Sequence, residues 1–294
     1  MQSVPDRLKA GEVLVSDGAW GTELARRGLP AGTAPEYLNL ERPEAVLDVA
    51  AAYVLAGADI ILTNSFGGSP AKLAKAQLGR QVAEVNRRAA ELSREAAGDK
   101  AMVFGSVGPT GEFLQPLGEM SEQDMIAGFA EQIAALVEGG VHGIAIETMS
   151  DLGEAKAAVT AAREVGDLTV VACTTYQKGP KGYASMMGVT PDLAAGTLAE
   201  IGADIIGVNC GVGVEDVVEI VRAMRAATDK PIWAKANAGM PELVDGRTVF
   251  RASPDDMACY VPGLVRAGAS VVGGCCGTTP DHIRAMAAAR DALG

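Results

Sequence analysis

No apolar run in this sequence approaches the ~18–20 residues that a bilayer-spanning helix needs. Its apolar runs are short; Ile60-Ile61-Leu62, for example, is strand-sized. The N-terminal stretch Met1–Lys9 carries Asp6, Arg7 and Lys9 and has no apolar core of the secretory kind. Positive charge is also short. A formal net charge of −12 speaks against nucleic acid and anionic membrane surfaces as partners, since both select basic patches. A spaced, even-numbered disulfide framework is missing too: there are five cysteines, two of them adjacent. In a large chain without a secretory signal, such cysteines more often bind metal or do chemistry. No low-complexity segment or Pro/Gly/Ser linker divides the 294 residues. These absences leave a cytoplasmic enzyme with one domain over residues 1–294.

What is present is alternation. Short β-rich runs fall at Val13–Ser16, Ile60–Thr63, Met102–Val107, Gly143–Glu147, Thr169–Thr174, Ile205–Asn209, Ile232–Ala236 and Ser270–Gly274, with helical segments between them. The runs are almost continuously apolar, as expected of parallel strands buried on both faces. Ser69-Pro70, Thr190-Pro191, Ser253-Pro254 and Thr279-Pro280 read as helix caps followed by proline in the first turn. Ser121-Glu122-Gln123-Asp124 reads as another helix start. A weak repeat, Gly57-Ala58-Asp59, Gly140-Val141-His142, Gly202-Ala203-Asp204 and Gly268-Ala269-Ser270, ends a helix before each even-numbered strand. Eight βα units predict a single (β/α)8 barrel, a TIM barrel of the α/β class. An open doubly wound sheet is the alternative.

In such barrels the active site lies at the C-terminal ends of the strands. Asp17-Gly18-Ala19-Trp20-Gly21-Thr22, Glu147-Thr148, Asn209-Cys210-Gly211, Asn237-Ala238-Gly239 and Gly274-Cys275-Cys276-Gly277 all fall there. Barrel closure would bring Cys210, Cys275 and Cys276 to a common point. Three thiolates suit zinc and leave its fourth position open, the catalytic pattern. The adjacent pair could instead be a vicinal disulfide or two small buried residues. Cys173, inside the fifth strand, and Cys259, in the seventh helix, read as buried structural cysteines. His142 precedes the fourth strand on the far side, and His282 suits a cap or the surface. Neither Asp17 nor Glu147 has a basic neighbour in sequence, which disfavours a structural ion pair. Two rivals remain open on the residues alone. One is a phosphate-binding barrel with Lys235 as a Schiff-base nucleophile; the other is a binding module with structural zinc.

The combination of Gly273-Gly274-Cys275-Cys276-Gly277-Thr278, Gly207-Val208-Asn209-Cys210 and Asp17-Gly18-Ala19-Trp20-Gly21-Thr22 resembles the signatures of homocysteine S-methyltransferases. The resemblance covers nearly the whole chain. Through Gly108-Pro109-Thr110-Gly111, Glu147-Thr148-Met149-Ser150-Asp151 and Asn237-Ala238-Gly239 it is closest to the homocysteine-binding barrel of cobalamin-dependent methionine synthases. It implies that Cys210, Cys275 and Cys276 bind zinc and that the homocysteine sulfur takes the open position. Asp17 and Glu147 would receive the substrate ammonium. Backbone N–H groups near Gly18, Ala19 and Phe66 would hold its carboxylate, and Asn237 would lie beside the metal. Two positions depart from the pattern. Ala236 replaces a usual proline. Thr148 stands where betaine-dependent relatives carry tyrosine, which argues against betaine as donor. The donor expected is methylcobalamin on a separate corrinoid protein, meeting the zinc-held thiolate at an open mouth. A small sulfonium such as S-methylmethionine is the alternative, with Trp20 and Phe66 available for cation–π contact. Another small thiol is the alternative acceptor.

Overall fold

Parallel strands form at all eight apolar runs in the computed structural model, which describes residues 2–244 and 247–294. They are β1 (Leu14–Val15), β2 (Ile60–Leu62), β3 (Met102–Val107), β4 (Gly143–Met149), β5 (Thr169–Thr174), β6 (Ile205–Gly213), β7 (Ile232–Asn237) and β8 (Ala269–Gly274). The order β1-β8-β7-β6-β5-β4-β3-β2 closes through a parallel bridge between Ser16 and Ile60. Asp17 N donates to Ile60 O at 2.9 Å and Asp59 N to Val15 O at 2.7 Å across that seam. The chain is therefore a single (β/α)8 barrel, and the open sheet is excluded.

Helix ends follow the local signals. Ser69, Thr190, Ser253 and Thr279 are N-caps with proline in the first turn, and Ser121 caps Glu122–Glu138. Gly57, Gly140, Gly202 and Gly268 all have φ between 89° and 113°, the left-handed region where a Cβ is penalised. Leu14, Ile60, Leu62, Phe104, Val171 and Trp233 are among the residues filling the barrel, with the Phe104 and Trp233 rings 5.9 Å apart. The helix α1 (Val4–Lys9) plugs the N-terminal end with Val4 and Leu8. A second apolar layer separates strands from helices. Among the described residues no helix is long and apolar enough to cross a membrane.

Two strands run two or more residues further than their sequence suggests. β4 continues to Met149 and β6 to Gly213, each past a break in register with its neighbour. Both breaks lie at the C-terminal mouth, where bulges commonly re-aim side chains. The connections after β4, β6 and β8 are short. Those after β5 and β7 carry two-stranded hairpins, Gln177–Gly179 with Gly182–Ala184 and Glu242–Val244 with Arg247–Val249.

The histidines are structural. His142 Nδ1 accepts from Val103 N at 2.8 Å beside Arg94, and His282 Nδ1 accepts from Thr279 N at 3.2 Å in the cap of the last helix. Cys173 is buried in the barrel as expected, but Cys259 is not buried. It ends the short helix Pro254–Ala258 on the outer surface, its thiol donating to Asp256 O at 3.1 Å. Close strand packing shows at Gly207, where an added Cβ would run into the Trp233 carbonyl oxygen. Backbone cannot yield as a side chain does. Gly207→Ala is expected to destabilise by about 1–3 kcal/mol, lowering Tm by roughly 2–12 °C; a thermal melt checks it.

Candidate active site at the barrel mouth

The ends of β6 and β8 bring Cys210, Cys275 and Cys276 together. Their sulfurs all lie within 4.8 Å of one another, with Cys210 and Cys276 3.7 Å apart. All three are free thiols, so the vicinal disulfide is absent. Cys275 N donates to Ala236 O at 2.7 Å and Ala238 N to Cys276 O at 3.0 Å, which fastens the pair to the end of β7.

Cys210 reaches this position through unusual backbone. Its φ is +61°, and that of Thr148 at the end of β4 is +64°. A left-handed non-glycine residue costs of order 1–3 kcal/mol and persists only when its surroundings fix it. Asn209 does the fixing. Its Oδ1 accepts from Thr148 N at 2.6 Å, and its Nδ2 donates to Thr148 Oγ1 at 2.7 Å. The same Nδ2 stands 3.7 Å from Cys275 Sγ.

Three thiols this close share their ionisation. Cys210 is held far below the ordinary thiol range because Cys275 and Cys276 donate hydrogen bonds to its sulfur, with help from Gly211 N and the Asn237 amide. Donating to Cys210 pushes Cys275 and Cys276 up. A cation at the centre of the trio would favour ionisation of all three. Asn237 Oδ1 is buried beside the cluster with no hydrogen-bond partner. A set of soft sulfur donors beside an orphaned amide oxygen fits a metal ion.

The acids of the mouth are differently placed. Asp17 is wholly buried and does not line the cavity. Lys235 Nζ lies 2.9 Å from its Oδ1, while Trp20 Nε1 and Leu62 N donate to Oδ2 at 2.8 and 2.7 Å. Asp17 thus has the ion pair that its sequence neighbours disfavoured: the partner comes from β7, 218 positions away. Glu147 accepts from Ser106 Oγ at 2.5 Å through Oε1, and its Oε2 is 4.0 Å from Lys235. Burial raises the Glu147 pKa, against the pull of Lys235. Burial also works against charge on Lys235, yet Asp17 and Glu147 outweigh it and hold the ammonium protonated above its ordinary range. An ammonium paired with Asp17 at 2.9 Å is a poor nucleophile, which argues against the Schiff-base alternative.

A cavity of about 610 Å³ opens over the thiols and Glu147, and Gly18, Ala19, Trp20 and Phe66 also line it. Ala19 N already donates to Thr278 Oγ1 at 3.1 Å. The N–H groups of Gly18 and Phe66 make no hydrogen bond among the described residues. The Phe66 ring rests on Gly108, where an added Cβ would meet it at 2.6 Å. Sequence reasoning missed Glu36, a buried acid of the cavity that accepts from Gly67 N at 2.6 Å. It also missed Lys72, Ser106 and the Asn209 clamp. Glu36 and Lys72 lie in no motif; Asn209 was visible only as part of the Gly207-Val208-Asn209-Cys210 motif, with no role of its own.

Comparison with known proteins assigns the chain to a family. The homocysteine S-methyltransferase family profile matches residues 14–290. Methionine synthase of Mycobacterium leprae (strain TN) is 31% identical over 95% of this chain, and that of Mycobacterium tuberculosis (strain ATCC 25618 / H37Rv) is 31% identical over 94%. The chain spans about a quarter of the length of both, 24% in each case. The metallated crystal structure of the homocysteine methyltransferase MmuM from Escherichia coli shares the fold, with a TM-score of 0.80 over 96% of this chain and 98% of that one, at 24% identity. A barrel that gathers three cysteines at its mouth, matched by one family profile almost from end to end, belongs to the homocysteine S-methyltransferase family.

Proposed function

We propose that this chain is a zinc-dependent enzyme of the cytoplasm that methylates the sulfur of homocysteine to give methionine. The observation that carries the reading is the spacing of the three free sulfurs. Zinc–sulfur bonds of ~2.3 Å in a tetrahedral shell put neighbouring sulfurs about 3.8 Å apart, and Cys210 and Cys276 are 3.7 Å apart. Zinc held by Cys210, Cys275 and Cys276 would turn an acceptor thiol of ordinary pKa ~8.5 into a thiolate at neutral pH. Around it, the Asn237 amide faces Cys210. Glu147 Oε2 meets the acceptor ammonium, and Asp17 acts behind it through Lys235. The unpartnered N–H groups of Gly18 and Phe66 take the carboxylate, with Ala19 completing the turn between substrate and Thr278. The thiolate pair forms the new S–C bond in line with the departing donor, which keeps the pair of the broken bond.

The donor we favour is methylcobalamin on a corrinoid protein. Thr148 in place of tyrosine supports this, as does similarity to much longer methionine synthases. The short connections after β4, β6 and β8 leave room for a large carrier. Trp20 and Phe66 in the cavity wall favour a small sulfonium as the second reading. Purified zinc-loaded protein should be offered homocysteine with methylcobalamin, a methylated corrinoid protein and S-methylmethionine in turn. Turnover with S-methylmethionine alone reverses the donor assignment; none with any donor refutes the activity. For the amino end, Glu147→Gln is expected to raise KM for homocysteine with zinc content intact. One charge-assisted hydrogen bond at its low end is about 1.5 kcal/mol, or roughly 10-fold. Steady-state kinetics beside metal analysis checks this.

A further inference from the structure

The mouth of the barrel contains an ammonium group of its own. Lys235 lines the cavity, yet its side chain is only 4% exposed, with Nζ 2.9 Å from Asp17 and 4.0 Å from Glu147. Both Asp17 oxygens are occupied by donors of the chain, and Glu147 has given Oε1 to Ser106. Glu36, a further acid of the cavity, is turned to Gly67 N. An acceptor's α-ammonium arriving beside the thiols thus finds one carboxylate oxygen, Glu147 Oε2, with a like charge already next to it. Lys235 already offsets one of the two carboxylate charges, so an arriving ammonium gains less here than it would between two unpaired carboxylates.

Resting on the methyl-transfer reading above, we infer that Lys235 sets acceptor choice: its ammonium fills the position between Asp17 and Glu147, and the site takes short thiols without an α-amino group as readily as amino-acid thiols. Lys72 lines the same cavity and joins no ion pair among the described residues, so the chemical class favoured is the short sulfanyl carboxylates. The reaction does not need the amine. The acceptor S–H releases its proton to solvent and the sulfur pair forms the S–CH3 bond. The methylcorrinoid or sulfonium donor keeps the pair of the bond it loses, leaving a methyl thioether and demethylated donor.

Calorimetric titration of the zinc-loaded wild-type protein with homocysteine and with γ-sulfanylbutyrate, its des-amino analogue, tests this without turnover. The two dissociation constants are expected to agree within about 10-fold, whereas two free carboxylates around an ammonium would separate them by roughly 100-fold or more. Homocysteine binding more than about 10-fold tighter overturns the inference and leaves the methyl-transfer reading standing. In Lys235→Met the substrate ammonium can replace the missing cation, so the preference for homocysteine should widen beyond about 10-fold. An unchanged ratio in a folded, zinc-loaded Lys235→Met protein also overturns it. If neither thiol binds the wild-type protein, the methyl-transfer reading fails and this inference falls with it.

Discussion

Replacing any one of Cys210, Cys275 or Cys276 by alanine is expected to strip most of the zinc and abolish measurable turnover. The sulfurs lie within 4.8 Å of one another, and among the described residues no histidine, aspartate, glutamate or further cysteine joins the group. A site reduced to two thiolates would have to recruit water twice, and three protein ligands are the usual minimum for a catalytic zinc site. About one zinc per chain is expected in the wild-type protein. Cys173→Ala and Cys259→Ala serve as controls. Cys173 is buried in the barrel and Cys259 is exposed on the outer surface, so both should keep metal and activity. Metal analysis on the five purified variants checks this, and full zinc content in Cys275→Ala would refute the assignment.

Asp17→Asn is expected to act on the fold before it acts on the substrate. The change removes the charge that Lys235 pairs with at 2.9 Å, where both side chains are almost fully buried. Breaking a buried ion pair by removing one partner costs about 3–5 kcal/mol. For a chain of this size that lowers Tm by roughly 6–20 °C. Glu147, 4.0 Å from Lys235, can recover part of the loss, so the lower half of that range is expected. The double variant Asp17→Asn/Lys235→Met should regain stability over the single one, because no unpaired cation is left behind. Melting curves of both decide the matter. A single variant as stable as wild type would mean that Asp17 does not hold Lys235.

Most of the scaffold was legible because its signals are local. Parallel strands covered on both faces must be apolar throughout, which is why the run Met102–Val107 coincides with β3. Gly57 and Gly268 mark helix ends because each adopts a φ that side chains avoid. The cysteines were legible once the strands were, since their positions follow from the barrel alone. Contacts made by closure were not legible. Lys235 and Asp17 meet across a register that only the closed sheet defines, and proximity along the chain pointed the other way. Exposure of Cys259 depends on which side of a short helix end faces outward, which its apolar neighbours did not indicate. The hairpins at the mouth are short, and their pairing partners lie within the connections themselves.

The clamp between Asn209 and Thr148 makes two properties of this enzyme inseparable. Position 148 is where the resemblance separates one donor class from another, and Asn209 is the residue that props Cys210 and approaches Cys275 Sγ at 3.7 Å. A larger residue at 148 would keep the backbone N–H that Asn209 Oδ1 accepts, but it would take away the hydroxyl that Nδ2 donates to. The freed amide would then keep the Cys275 sulfur as its near partner, and its proton would draw electron density from that sulfur. A substitution at position 148 therefore reaches the support of Cys210 as well as the cavity wall.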